Sequence, residues 1–99
     1  MSYRVVFRKD AVFEMEDASL WYNLQQKGLG EKFMRQLRVI LELILQNPFL
    51  FPEKKGEYRE APLSIFPFVV VYRMDVEKKR VIILAVYHTK RNPTGKYNR

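Results

Sequence analysis

Six side chains able to hold or move charge leave one strand end together. A run of strand-forming residues, Val81 to Tyr87, stops at His88, and Lys90, Arg91, Lys96, Tyr97 and Arg99 follow with no acid among them. An imidazole titrates near neutral pH and can serve as general acid or base. Arginine offers phosphate a bidentate fork, and lysine a compact point charge. The Tyr97 phenol can donate or accept a hydrogen bond. Arg59 and Arg73, in the strands that precede, add two more forks. Together these groups suit phosphate binding, or proton transfer beside a phosphate. Plainer roles are open to each. A strand-end histidine can be purely structural or touch a partner, and Arg73 can pair with Asp75 at the surface for little gain.

The charge is unevenly placed. Residues 1–53 hold seven cations and seven acids, while residues 54–99 hold eleven and four, so the whole net charge of +7 lies in the second half. That is the footprint of a surface for nucleic acid or for an acidic protein. The absence of cysteine excludes disulfides and thiolate catalysis. One histidine without cysteine argues against a zinc site, so neither metal nor cofactor is expected. No apolar stretch approaches spanning length, and the start lacks a signal-peptide layout. A soluble, cytoplasmic protein without a membrane partner is the expectation.

Ninety-nine residues make one domain, 1–99, with 89–99 as a basic C-terminal tail. Tyr3 to Arg8 alternates as a strand, with Tyr3, Val5 and Phe7 on one face. Asp10 is placed to cap a first helix running to about Gln26, whose core stripe is Ala11, Met15, Ala18 and Tyr22. Glu14, Glu16 and Asp17 put acids in its early turns. Gly28-Leu29-Gly30 breaks the pattern. A second helix follows to Gln46, with Phe33, Leu37, Ile40, Leu41 and Ile44 inward, and Asn47-Pro48 ends it. So short a link makes the two helices antiparallel. After a connection over 49–56 come three strands, about Tyr58 to Ile65, Phe68 to Met74 and Arg80 to His88. Asp75 to Lys79 has the length of a hairpin turn. The order β-α-α-β-β-β segregates helices from strands, which is the α+β class: two antiparallel helices on a small antiparallel sheet. The last strand is internal, the first lies beside it, and Tyr58–Ile65 takes the far edge. In the last strand Val81, Ile83, Ala85 and Tyr87 share one side, and Ile82, Leu84, Val86 and His88 the other.

Several segments in this order resemble the RelE/ParE toxins. Asp17-Ala18-Ser19-Leu20-Trp21-Tyr22 ahead of Gly28-Leu29-Gly30-Glu31-Lys32-Phe33 is similar to their helical half, closed by Asn47-Pro48 and Phe51-Pro52. Tyr58-Arg59 and Phe66-Pro67-Phe68-Val69-Val70-Val71-Tyr72-Arg73 resemble their central strands. Ala85-Val86-Tyr87-His88-Thr89-Lys90-Arg91-Asn92-Pro93 resembles their C-terminal signature. The resemblance covers nearly the whole chain. It implies the toxin of a bacterial type II toxin–antitoxin pair, of the kind also called plasmid stabilisation proteins, which inhibits growth until a cognate antitoxin neutralises it.

The family has two mechanisms. RelE-like members cut messenger RNA on the ribosome, and ParE-like members poison DNA gyrase. Arg91 and Tyr97 stand six residues apart, the spacing of a catalytic pair in RelE-like nucleases. On that mechanism His88, Arg91 and Tyr97 would be catalytic. The RelE-like pattern, however, places cations where this chain has Glu60, Pro62 and Val69. His88 ahead of Thr-Lys-Arg-Asn-Pro is common among ParE-like relatives. The reading is therefore a ParE-like toxin, with Arg59, Arg73, Lys90 and Lys96 touching target or phosphate. A ribosome-dependent nuclease is the alternative, and a binding module on a degenerate toxin scaffold the third. Phe49, Phe51 and Phe66 lie off the helix stripes. They either close the core or line a groove for an antitoxin helix.

Overall fold

The chain folds, in a computed structural model that describes residues 3–90, as two helices on one face of a five-stranded sheet. The elements are β1 (Arg4–Phe7), α1 (Lys9–Gln25), α2 (Leu29–Gln46), β2 (Glu53–Lys55), β3 (Tyr58–Pro62), β4 (Phe68–Asp75) and β5 (Arg80–His88). This is the expected α+β order with one short strand, β2, added. The sheet runs β1-β5-β4-β3-β2, so β5 is internal and lies beside β1. The far edge belongs to β2, not to Tyr58–Pro62. Its three residues, Glu53, Lys54 and Lys55, are all exposed and polar, so no hydrophobic alternation announces it.

The sheet is mixed. β1 pairs with β5 in parallel, Val5 opposite Val81 and Phe7 opposite Ile83, and the other neighbours are antiparallel. Parallel pairing needs a long crossover, which here is everything between β1 and β5. β1 passes straight into α1. The Arg8 N–H bonds the Ile83 carbonyl at 2.9 Å while the Arg8 carbonyl accepts from Ala11 and Val12. Arg8 is thus the N-cap, in extended conformation, and Asp10 sits within the first turn. The expected Asp10 cap gives way because the strand's own ladder already fixes Arg8. Asp10 still places its charge near the positive end of the helix.

α1 and α2 cross closely. Gly28, at φ 88°, makes the turn that only glycine adopts freely. The Gly30 N–H bonds Asn23 Oδ1 at 2.8 Å, and a Cβ on Gly30 would collide with the Ser19 carbonyl oxygen. Ala11, Ala18, Phe33, Leu37, Ile40 and Ile44 from the helices bury against Ala61, Phe68, Val70, Tyr72, Val81, Ile83 and Val86 of the sheet. Fully burying one such side chain stabilises by ~1.5–3 kcal/mol. No helix among the described residues is long and apolar enough to cross a membrane.

One irregularity decides where the strand end points. The β4–β5 register slips between Val71 and Tyr72, which pair with Ala85 and Ile83. Leu84 is the extra residue of a β-bulge. Before it, Val81 and Ile83 face the helices. After it, Val86 does so, while Leu84, Ala85 and Tyr87 join a second cluster with Val69 and Val71 on the opposite face. Strict alternation put Ala85 and Tyr87 with Val81, and Val86 and His88 opposite. The bulge reverses that assignment for every residue from Ala85 onward.

Candidate functional site

His88 therefore comes out on the helix side. Its ring meets Phe68 edge-to-face at 5.1 Å between centroids, and its Nδ1 accepts the Lys90 N–H at 3.1 Å. It lines a groove of about 240 Å³ between α1 and the end of β5, with Phe13, Glu14, Asp17, Trp21, Tyr22 and Val86 among the other walls. β1 has ended by this point, which leaves one edge of β5 open. α1 covers that edge, and Glu14 Oε1 accepts the Val86 N–H at 3.0 Å. Covering an open edge in this way prevents stray strand pairing. Among the described residues, the charged side chains that share the groove with His88 are carboxylates. Such surroundings repel phosphate rather than hold it.

The opposite face carries Val69, Val71, Leu84, Ala85 and Tyr87, with Tyr58 packed against them. Glu60 pairs with Val71 and Pro62 with Val69. Arg73 stands farther along β4, opposite Ile82. From Phe68, the partner of His88, to Arg73 is about 17 Å along the strand. His88 and Arg73 are thus on opposite faces and do not converge. Arg73 also does not take Asp75. That carboxylate binds Arg80, Nη2 to Oδ2 at 2.7 Å. The Arg80 hydrogen bond, helped by the Lys78 N–H, holds the Asp75 pKa below its ordinary value.

Arg59 faces the helices with its partner Tyr72. It donates to the Phe51 carbonyl at 2.7 Å, lies over the Phe49 ring at 5.2 Å, and sits 3.7 Å from Glu53. The Tyr72 hydroxyl donates to the Pro48 carbonyl at 2.7 Å. Burial raises the Tyr72 pKa, and the Arg59 charge offsets part of that. Arg59 and Tyr72 together pin the chain that leaves α2. Phe66 is only 6% exposed, in a ring cluster with Tyr22 and Phe33, and Phe51 is half-buried. Phe49, at 56%, presents free surface. Lys90 is exposed, and Arg91, Lys96 and Tyr97 lie outside the described residues. Sequence reasoning gave Phe13, Glu14, Asp17 and Trp21 no part in the site. The signal was present, because α1 is apolar on two stripes and only one was used.

The profile of the ParE toxin of type II toxin–antitoxin system, parDE, matches residues 2–93. The chain belongs to this family. Among solved structures it is similar to an arginine double mutant of E. coli toxin RelE in the free state. The TM-score is 0.74 and the identity 21%, with 98% of this chain and 92% of that one covered. It is also similar to the chromosomal ParDE system from P. aeruginosa (TM-score 0.65, 16% identity, 89% and 97% covered). The RelBE2 toxin–antitoxin complex from Mycobacterium tuberculosis follows at 0.63, 17% identity, 89% and 99% covered. At such identities these likenesses speak for a shared fold. Among curated protein sequences none matches.

The chain is thus a type II toxin–antitoxin toxin of the ParE/RelE superfamily. In this ParE-family chain Glu60, Pro62 and Val69 lie on β3 and β4, on the face away from the helices, beside the Val71–Ala85–Tyr87 cluster. Val69 is 8% exposed and Val71 and Ala85 are fully buried, so the floor of this face is apolar.

Proposed function

We propose that this toxin acts in the ParE manner, arresting growth by engaging DNA gyrase, with a cognate antitoxin holding it inactive. One observation carries the reading. On the sheet face where a RelE-like nuclease would hold phosphate there is an acid, a proline and buried valine, and His88 leaves on the other side, where the charged groove residues among those described are carboxylates. Stabilising a phosphorane needs preorganised cations aimed at the developing charge, and apolar side chains cannot supply them. An antitoxin partner is supported by the relatives themselves, since the M. tuberculosis structure is a toxin–antitoxin complex. Phe49 offers that partner a free apolar anchor, and the basic second half offers its charge. The alternative, a ribosome-dependent RNA endonuclease, is favoured by the spacing of Arg91 and Tyr97 alone.

Induction of the chain in a bacterial host tests the choice. The ParE reading expects loss of supercoiling and accumulation of cleaved DNA, with ribosome-bound messages intact. His88→Ala then changes toxicity little. A general acid or base contributes about a hundredfold or more to rate, so a nuclease would lose nearly all activity on that change. Primer extension on translated messages is the deciding readout. Discrete cuts within codons that vanish with His88→Ala or Arg91→Ala would overturn the gyrase reading.

A further inference from the structure

We propose that the outer face of α1, with the groove it shares with the end of β5, receives an amphipathic helix of a partner protein, anchored by an arginine. Phe13, Leu20, Trp21 and Leu24 are 67%, 66%, 55% and 82% exposed. Their spacing, with Asp17, is i, i+4, i+7, i+8 and i+11, which is one continuous helix stripe. Scattered apolar residues on a surface need no explanation, but a contiguous stripe beside a groove marks an interaction site.

The charge of this face selects the occupant. The protein carries +7, yet α1 holds four acids, Asp10, Glu14, Glu16 and Asp17, against the single cation Lys9. An acidic peptide or a nucleic acid is repelled here and drawn to the second half instead. A segment that suits α1 must be apolar on one side and cationic beside it. The size of the groove narrows the anchor. About 240 Å³ exceeds the roughly 150 Å³ that holds a benzene and falls short of the roughly 300 Å³ of small-ligand sites. It takes one large side chain. Its walls combine the Phe13 and Trp21 rings with the Glu14 and Asp17 carboxylates. Arginine matches both, with its stem along the rings and its guanidinium over an aromatic face and against a carboxylate. Glu14 is already engaged with the Val86 N–H. Asp17 is the exposed acid that pairs with the anchor. Such a helix-in-groove contact gains affinity from the stripe and its specificity from the charged anchor.

The inference rests on the toxin reading only in expecting protein partners. Its assay contains no gyrase, ribosome or antitoxin, so its failure would leave the target reading untouched. The probes are two synthetic helical peptides about four turns long. Both carry the same leucine stripe, with arginine at the polar positions of one and glutamate in the other. Trp21 is the only tryptophan and reports directly from the stripe. The arginine peptide is expected to shift Trp21 emission to the blue, saturably, and the glutamate peptide is not. Asp17→Lys should weaken the arginine peptide about tenfold or more and confer binding of the glutamate peptide. Leu24→Ser should weaken it by a similar factor. Both positions are exposed, so folding is preserved, as far-UV circular dichroism will check. Equal binding of the two peptides, no shift with either, or variants within about twofold of the wild type would each overturn the proposal.

Discussion

Replacing Tyr72 by Phe tests what holds the end of α2 to the sheet. Tyr72 is fully buried, and its hydroxyl donates to the Pro48 carbonyl at 2.7 Å. Pro48 is itself buried, in the connection that closes the helical half. Phenylalanine keeps the ring and its packing and removes only the donor. The hydrogen bond contributes ~1 kcal/mol net, and a buried acceptor left without a donor costs ~1–3 kcal/mol. The expected loss is therefore ~1–2 kcal/mol. In a domain of this size each ~1 kcal/mol lowers Tm by ~4–8 °C. Urea unfolding followed by Trp21 fluorescence and by circular dichroism gives the number, as a lower midpoint at unchanged slope. Tyr22→Phe is the internal control. Its ring packs on Phe33 and Phe66 in the same core, and no described group bonds its hydroxyl. That change should stay within ~0.5 kcal/mol. Equal losses in the two variants, or a Tyr72→Phe loss below ~0.3 kcal/mol, would refute the pinning role. Alkaline pH supplies a second check. Burial raises the folded pKa of Tyr72 above that of an ordinary tyrosine. Its contribution is fully present below the unfolded pKa and is lost as pH rises through the folded one, so Tyr72→Phe should lessen the alkaline fall in stability.

Gly30→Ala should destabilise despite alanine's better helix propensity. The new methyl meets the Ser19 backbone oxygen, which cannot swing aside. The overpacking costs ~1–3 kcal/mol against a propensity gain of ~1 kcal/mol, and thermal denaturation reads the difference. Asp75→Asn should lower stability at neutral pH, with the gap to the wild type closing in acid. The folded pKa of Asp75 is depressed by Arg80, so its contribution is present above the unfolded carboxylate pKa and is lost as pH falls through the folded value. Urea midpoints for both proteins across the acid range would show parallel lines if the ion pair were idle.

Most of the architecture was legible because periodicity and breakers agreed. α2 runs from Leu29 to Gln46 as its stripe and Asn47-Pro48 require, and β5 spans Arg80 to His88 as the apolar run implies. β2 was not legible, since its three residues are all exposed and polar and show no hydrophobic alternation. The parallel pairing of β1 was not legible either, because strand direction depends on how the chain returns across the helices. The site was read from residue types, which named His88 and Arg59 but not their surroundings. Arg59 faces inward to the Phe51 carbonyl because Tyr72 is its cross-strand partner. His88 faces α1 because a single extra residue, Leu84, precedes it, and nothing in Ile83-Leu84-Ala85-Val86 signals that. The exposed stripe of α1 was legible in principle, as apolar positions left over once Ala11, Met15, Ala18 and Tyr22 are assigned to the core.

The extra residue at Leu84 works as a parity bit. Everything downstream of it on β5 is read on the opposite face from what counting by twos would give. Deleting Leu84 itself would leave His88 opposite Phe68, but deleting a paired residue beyond it, such as Val86, with the bulge kept, would move Tyr87 opposite Val70 on the groove side and His88 opposite Val69 on the Tyr58 face. No other side chain need change for that exchange. On this scaffold, which face of the sheet receives the strand-end residues is thus set by chain length as much as by chemistry. A one-codon insertion or deletion could re-aim a site in a single step, where point substitutions would need several.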